Sequence, residues 1–395
     1  MSLASTGSEL ADRITREELL IGGATALFLA AVAGAVAGGL LESAFVVSSL
    51  AFAPVILLLA LGLNVQWGYG GLVNFSVAGF FAVGAYSTAV LTNGSDPHGL
   101  ALHPAVGLVA AMAVSAALAL AIGLPTLRLR ADYFAIATLG FAEIVRLIVL
   151  NEGWLTNGGL GVFGIPVLFE AGVLSGPAEL LNTTPRNVGN VLIGFLAVAV
   201  VFLVLRRVQS SPWGRVLRTI RADEDVGQAL GKNTYRFKLQ AFVLGSVIMG
   251  VAGFYFAHYL RAITPGAFEP IQTFYVWVAV ILGGSGSNRG AILGGFAVVL
   301  ILRGTRLVNN PVGAIETLLN APIDVLDRLL FSVAVDFRLS LGLDLNQDAL
   351  RLLLIGLLVI AIVRLRPQGL LPPQREHIWP AALGGGGDAP EEDRE

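Results

Sequence analysis

The sequence predicts an all-α fold, a polytopic bundle of about ten transmembrane helices with glycine-broken segments in both halves. Three observations carry this. Only 13% of the 395 residues are charged, against about 25% in an ordinary soluble domain, so charge cannot cover a water-soluble surface of this size. The chain is 55% hydrophobic with a mean hydropathy of +0.77, and its apolar residues gather into runs of about 20, the length that crosses a bilayer. Arginines fall between those runs on alternate sides, as the positive-inside rule requires.

The expected spans, in order, are 19–41, 45–66, 72–92, 104–127, 132–150, 187–206, 238–260, 272–286, 289–303 and 350–364. The first begins near Leu19 without a clean cleavage site after it, so it reads as a retained helix rather than a signal peptide. The pair 272–286 and 289–303 is short and reads either as two spans or as a re-entrant hairpin. With the N-terminus inside, the cytoplasmic segments carry Arg13 and Arg16, then Arg128 and Arg130, then Arg207, Arg215, Arg218, Arg221, Lys232 and Arg236, and finally Arg366 and Arg375. The opposite segments 93–103 and 151–186 carry only Arg186, while 304–349 offsets Arg306, Arg328 and Arg338 with acids such as Asp324, Asp327 and Asp336. An even number of spans leaves both termini in the cytoplasm. Three regions result: a cytoplasmic segment 1–18, a transmembrane domain 19–366, and a tail 367–395 whose Gly-rich, acidic end reads as disordered. Within the outer segment 304–349, Val312–Phe331 has helix-like apolar spacing suited to the membrane surface.

Composition also excludes. Without cysteine there are no disulfides, thiolate metal sites or cysteine nucleophiles. The histidines, His98, His103, His258 and His377, have no zinc-ligand spacing. A net charge of −2 gives no sign of a nucleic-acid partner.

The most informative loop is 207–237. Ser211-Pro212 predicts a helix start, with Pro in the first turn. Residues Trp213–Ile220 follow as a basic amphipathic helix, and Ala222–Leu230 as a second, acidic in its first turn and stopped by Gly231. Such a segment reads either as a rigid dock for a partner or as a solvated positive loop. Two Gly-rich interruptions, Gly62–Gly71 and Gly283–Gly290, lie one in each half, and read either as the broken segments of a transport fold or as tight turns. Asn64, Gln66, Asn74 and Ser76 flank the first. They suit either a solute path or polar helix packing. Glu143 and Arg146, three residues apart on one helix face, cost about 2.5–3.5 kcal/mol each at mid-membrane. They must face the bundle or an aqueous path, as a structural ion pair or as contacts for a zwitterion.

Apparent nucleotide motifs fail. Gly227–Thr234 is one residue short of a P-loop and has Asn233 where Ser or Thr should follow Lys232. Gly284–Gly290 is one residue off the dinucleotide pattern and lies between spans. Any ATPase is therefore expected on a separate chain.

Several spaced blocks resemble the permeases of branched-chain amino acid ABC importers, and their M-type member in particular. They are Ala60–Asn64, Gly68–Asn74, Gly79–Tyr86, Leu129–Arg146, Asn157–Pro166, Lys238–Phe242 with Gly250–Gly253, Ile281–Gly290 and Arg366–Leu370. The resemblance implies a permease subunit that performs no covalent chemistry and moves branched-chain amino acids inward by alternating access. Urea, amides or other amino acids are the alternatives. It further implies a second homologous permease, two cytoplasmic ATPases that bind ATP and Mg while this chain holds no cofactor, and an extracytoplasmic binding protein docking on 151–186 and 304–349. On this reading Arg215, Arg218, Arg221, Asp223, Glu224, Asp225, Gly227, Leu230, Gly231 and Lys232 couple to the ATPase, with Gly227 and Gln228 where small Ala residues are usual. A stand-alone secondary transporter would need more intramembrane acids than Glu143, and a membrane enzyme would need Asp-rich or His-rich motifs that are absent from the sequence.

Overall fold

The computed structural model of the protein describes residues 42–94, 100–168, 174–305, 347–366 and 369–371. The expected span 19–41, the amphipathic stretch 312–331 and the terminal segments 1–18 and 384–395 lie outside the described residues.

The long helices are α1 (Ser43–Leu63), α2 (Val77–Thr92), α3 (Pro104–Thr126), α4 (Ala131–Asn151) and α5 (Pro185–Ser210). Two shorter ones follow, α6 (Pro212–Ala222) and α7 (Glu224–Ala229). The chain then forms α8 (Thr234–Leu260), α9 (Ile271–Gly283), α10 (Asn288–Gly304) and α11 (Gln347–Leu365). Among the described residues the only strands are Val162–Phe163 and Ala262–Ile263, a two-residue antiparallel pair, so the fold is all-α. Six described helices are long and apolar enough to cross a membrane, Pro265–Gly283 counted as one of them. The starts are chemically marked. The Thr184 and Ser211 hydroxyls accept from Asn187 and Gly214 amides, each followed by Pro in the first turn. Asn233 and Ser287 cap α8 and α10 in the same way.

Two boundaries differ from expectation. The helix does not break at Gly62. It runs on as a π-helix over Asn64–Tyr69, widened by one residue per turn, and stops only at Gly71, whose φ of +68° suits glycine. Residues 71–76 then have no regular secondary structure, so the expected span 72–92 is helical only from Val77. The second interruption is a tight turn, Gly284–Ser287, between α9 and α10.

α1 and α8 form the centre: 61% and 67% of their apolar stretches are buried, against 22% for α3. α2 is buried beside them, and the outer helices turn apolar side chains outward, such as Val109 on α3, Ile136 on α4 and Leu196 on α5. With lipid outside, apolar surface gives no drive for helices to associate, and small residues let backbones meet instead. A Cβ on Gly84 of α2 would collide with the Gly250 carbonyl of α8, and one on Gly283 with the Gly290 carbonyl. The α9–α10 hairpin runs most of the length of α1. Its turn meets Asn64 and Gly68 at one pole. At the other, the Arg303 guanidinium lies 4.2 Å over the Phe52 ring and donates to the Tyr259 hydroxyl. Leu370 and Leu371 bond back to the carbonyls of Leu282 and Gly283, tying the last described residues to the same turn.

Candidate functional site

α6 lies against the first pole through an amphipathic face: Leu217 is fully buried and Ile220 nearly so. Its Arg221 guanidinium donates to the Gly68 carbonyl at the end of the π-helix and, at 2.8 Å, to Ser285 Oγ in the α9–α10 turn. This is a cation at a helix C-terminus, where carbonyls lack intrahelical partners. Asp223 caps α7 by accepting from the Asp225 and Val226 amides. Glu224 pairs with Lys238 of α8 at 2.5 Å. Gly227 explains its own departure from the resembled pattern: a Cβ there would come within 3.3 Å of both Ile220 and Thr234. Gly231, at φ +73°, ends α7 as expected, with its amide on the Gln228 carbonyl and that of Lys232 on Gly227. The outer face of the segment carries Arg215, Asp225 and Lys232, all exposed, together with Val226 at 47% and Leu230 at 65% exposure. Arg218 is half-buried. Val226 was not singled out in the sequence because a lone valine among charges carries no pattern.

The four polar residues flanking the first interruption are fully buried and bonded to one another or to neighbouring helices. Asn64 donates to Asn288 Oδ1 at 3.1 Å and accepts from the Gly286 amide at 2.8 Å. Gln66 donates to the Phe242 carbonyl and Ser246 Oγ, and accepts from Asn74 at 2.6 Å. Asn74 Oδ1 accepts from both the amide and the hydroxyl of Ser76. Tyr69 donates to Asn288, which donates to Gln209 at 3.3 Å. The network joins the two Gly-rich interruptions, and its side-chain groups are engaged by protein in this conformation. Tyr69, Gln209 and Asn288 were missed in the sequence, since their partners lie from 77 to 224 residues away along the chain.

Glu143 and Arg146 lie elsewhere, on α4, past its midpoint. Arg146 holds Glu143 with two parallel bonds, Nε to Oε2 at 2.9 Å and Nη2 to Oε1 at 2.5 Å, the strong fork geometry. The pair sits at the edge of the bundle, not inside it, with side chains 37% and 26% exposed. It lines an open groove of about 500 Å³ with Glu269, Pro270 and Ile271. Glu269 brings a second carboxylate to one guanidinium. An apolar helix cannot present this cluster to hydrocarbon without a cost of several kcal/mol, so the groove faces water or another polypeptide.

At the second pole, Arg261 Nε donates to the Ile165 carbonyl and His258 Nδ1 meets that of Pro166, fixing 162–166 to the end of α8. The adjoining loop exposes Trp154, Leu160 and Phe163. Gly227–Thr234 spans the end of α7 and the start of α8 with no strand before it, which is not P-loop geometry. Among the described residues no group of three His, Asp or Glu could hold a metal ion.

The family described as branched-chain amino acid transport system, permease component, matches residues 45–363. The chain is 31% identical over 338 residues to the high-affinity branched-chain amino acid transport system permease protein LivM of Salmonella typhimurium, covering 82% of this chain and 69% of that one. It is 27% identical over 247 residues to the LivH permease protein of Escherichia coli, covering 60% and 77%. It is 26% identical over 241 residues to the nucleoside ABC transporter permease protein NupC of Lactococcus lactis, covering 57% and 70%. No solved structure matches the chain. With six described helices long and apolar enough to cross a membrane, the chain is a multi-pass membrane protein and belongs to the family of permease components of branched-chain amino acid transport systems.

Proposed function

We propose that the chain is the M-type permease subunit of an ATP-binding cassette importer that carries branched-chain amino acids into the cytoplasm. The observation that carries this reading is the α6–α7 segment: its inner side is anchored by Leu217, Arg221 and Glu224, and its outer side offers Val226 and Leu230 among charges. Exposed apolar side chains on a short helix that cannot swing freely suit docking on a motor subunit. On this reading α6–α7 faces the cytoplasm with both termini, within a domain 19–366 flanked by the segments 1–18 and 367–395. Two ATPase subunits bind ATP and Mg and press on Arg215, Asp225, Val226, Leu230 and Lys232. A second homologous permease completes the pore, as the likeness to both LivM and LivH supports. A binding protein docks outside on 151–186 and 304–349, where Trp154, Leu160 and Phe163 stand out.

The translocation path runs along the Glu143–Arg146–Glu269 groove. A zwitterion suits it: the α-carboxylate reaches Arg146 and the ammonium Glu269 or Glu143. Asn64, Gln66, Asn74 and Ser76 act as the bonded wall behind the path. The likeness to NupC favours a second reading in which the same machinery takes another polar solute. The test is the purified complex in vesicles, supplied with leucine, urea, short amides or a nucleoside. ATP-driven leucine uptake is expected. Uptake without ATPase subunits, or of urea or a nucleoside in preference to leucine, refutes it.

A further inference from the structure

α6–α7 and the groove are far apart in the fold, one at the first pole and the other on the second half of α4. Segment 71–76 lies between them, packed on Arg221 of α6 at its start and bonded to the groove helices at its far end. At its start, Gly71 packs on the stem of Arg221: a Cβ there would stand 3.4 Å from Arg221 Cγ, at a φ of +68° that disfavours any side chain. Arg221 also binds Gly68, three residues earlier, and Ser285. At its far end the Phe75 amide donates to Thr138 Oγ1 of α4 at 3.0 Å. On the other side Thr273 Oγ1 of α9 donates to the Phe75 carbonyl at 3.4 Å and Trp277 Nε1 to the Asn74 carbonyl at 3.0 Å, while the Ala78 amide, in the first turn of α2, donates to Thr273 Oγ1 at 3.0 Å. The Phe75 ring stacks on Trp277 with centroids 5.2 Å apart. Thr138 precedes Glu143 by about 7.5 Å of helix, and Thr273 follows Ile271 by two residues. The two helices that 71–76 clasps therefore carry the two sides of the groove.

We propose that Arg221 is a positioning residue of transport: it ties α6–α7 to segment 71–76, and that segment sets the spacing of α4 and α9 across the Glu143–Arg146–Glu269 groove. Arg221 is itself exposed at the surface of α6, and it acts inward, through its bonds to Gly68 and Ser285, on the wall of the path. The inference rests on the importer reading above. A non-helical segment suits the task, because a helix bonds mostly to itself, whereas here the Asn74 carbonyl and the Phe75 amide and carbonyl are left to bond neighbours on either side. Displacing α6 by the stroke of a docked subunit moves Gly68 and Gly71, and the clasps at Thr138, Thr273 and Trp277 pass that motion to the groove.

The experiment measures leucine moved per ATP hydrolysed by the reconstituted complex. Arg221→Gln is expected to lower this ratio by about 2- to 30-fold, the span seen for residues that couple two sites, while Arg221→Lys, keeping the cation but not the fork, falls between. Thr138→Val cuts the far clasp alone and is expected to lower the ratio too. The double variant should be no worse than the poorer single one, since both cut the same connection. An unchanged ratio in Arg221→Gln, or effects that multiply in the double variant, overturns the proposal. If Arg221→Gln does not accumulate as folded complex, Thr138→Val and Ser285→Ala decide it by the same ratio: a fall supports the inference and no change overturns it. A native complex with no ATP-driven leucine uptake would instead remove the importer reading and this inference with it, an outcome distinct from active native protein with indifferent variants.

Discussion

Replacing Asn288 by alanine tests whether the buried network holds the two Gly-rich interruptions together. Asn288 Oδ1 accepts from Asn64 Nδ2 at 3.1 Å and from the Tyr69 hydroxyl, and its Nδ2 donates to Gln209. Asn64 and Tyr69 are 0% and 1% exposed, so their donors cannot turn to solvent, whereas half-buried Gln209 can. Two buried donors are thus orphaned. Each costs about 1–3 kcal/mol by measurements on soluble proteins but only about 0.6 kcal/mol on average between membrane helices. The expected loss is about 2–4 kcal/mol, an apparent unfolding midpoint lower by about 5–10 °C at a fixed scan rate in detergent. Gln209→Ala should cost less, about 1–2 kcal/mol, because it leaves a single buried donor, Asn288 Nδ2, unpaired. The double variant Asn64→Ala with Asn288→Ala should lose less than the sum of the single losses. Strict additivity, or a loss in Asn288→Ala no larger than in Gln209→Ala, would refute the network as a unit.

Further outcomes follow from other contacts. Glu143→Gln should lower leucine uptake while leaving the amount of assembled complex unchanged; loss of assembly on a size-exclusion profile would mean that the fork with Arg146 is structural. At Glu224, burial acts most strongly and upward, but the Lys238 and Thr234 hydrogen bonds and the Lys238 charge outweigh it, so the carboxyl lies below its ordinary value of 4.5. Its stabilisation is therefore complete above that value and lost as pH falls through the lower folded one; a spin label on Ala229→Cys, in a chain with no other cysteine, should loosen below about pH 4.5, and Glu224→Gln should abolish that acid step. Gly84→Ala should cost about 1–3 kcal/mol, because its Cβ would meet the Gly250 carbonyl. Gly140→Ala, with nothing within 4 Å, should gain up to about 1 kcal/mol of helix propensity; equal midpoints for the two would refute the packing argument.

Much of the fold was legible because a bilayer imposes length and polarity on each span independently. The starts of α5 and α6 could be read from Thr184-Pro185 and Ser211-Pro212, whose caps depend only on adjacent residues. The expected span 72–92 began too early because Leu72, Val73 and Phe75 are as apolar as helix residues. The non-helical backbone at Asn74 and Phe75 is held by Thr138, Thr273 and Trp277, from helices far along the chain. Likewise Asn64 and Gln66 left two readings open, since the same amide serves a solute or a neighbouring helix. Their full burial and protein partners distinguish the two only in three dimensions.

The sequence by itself determined that the chain is an all-helical membrane protein, where α6 starts and α7 stops, and which family its spaced blocks resemble. These are local properties: hydropathy over about 20 residues, a cap and its proline, a short motif. Only the tertiary structure decided that Arg221 reaches Gly68 and Ser285 and that Glu269 faces Arg146 across a groove at the bundle edge. It also decided that the two glycine-rich interruptions are bonded to each other. Those pairings join residues up to more than two hundred positions apart, and their strength depends on directions and distances that arise only once helices have packed.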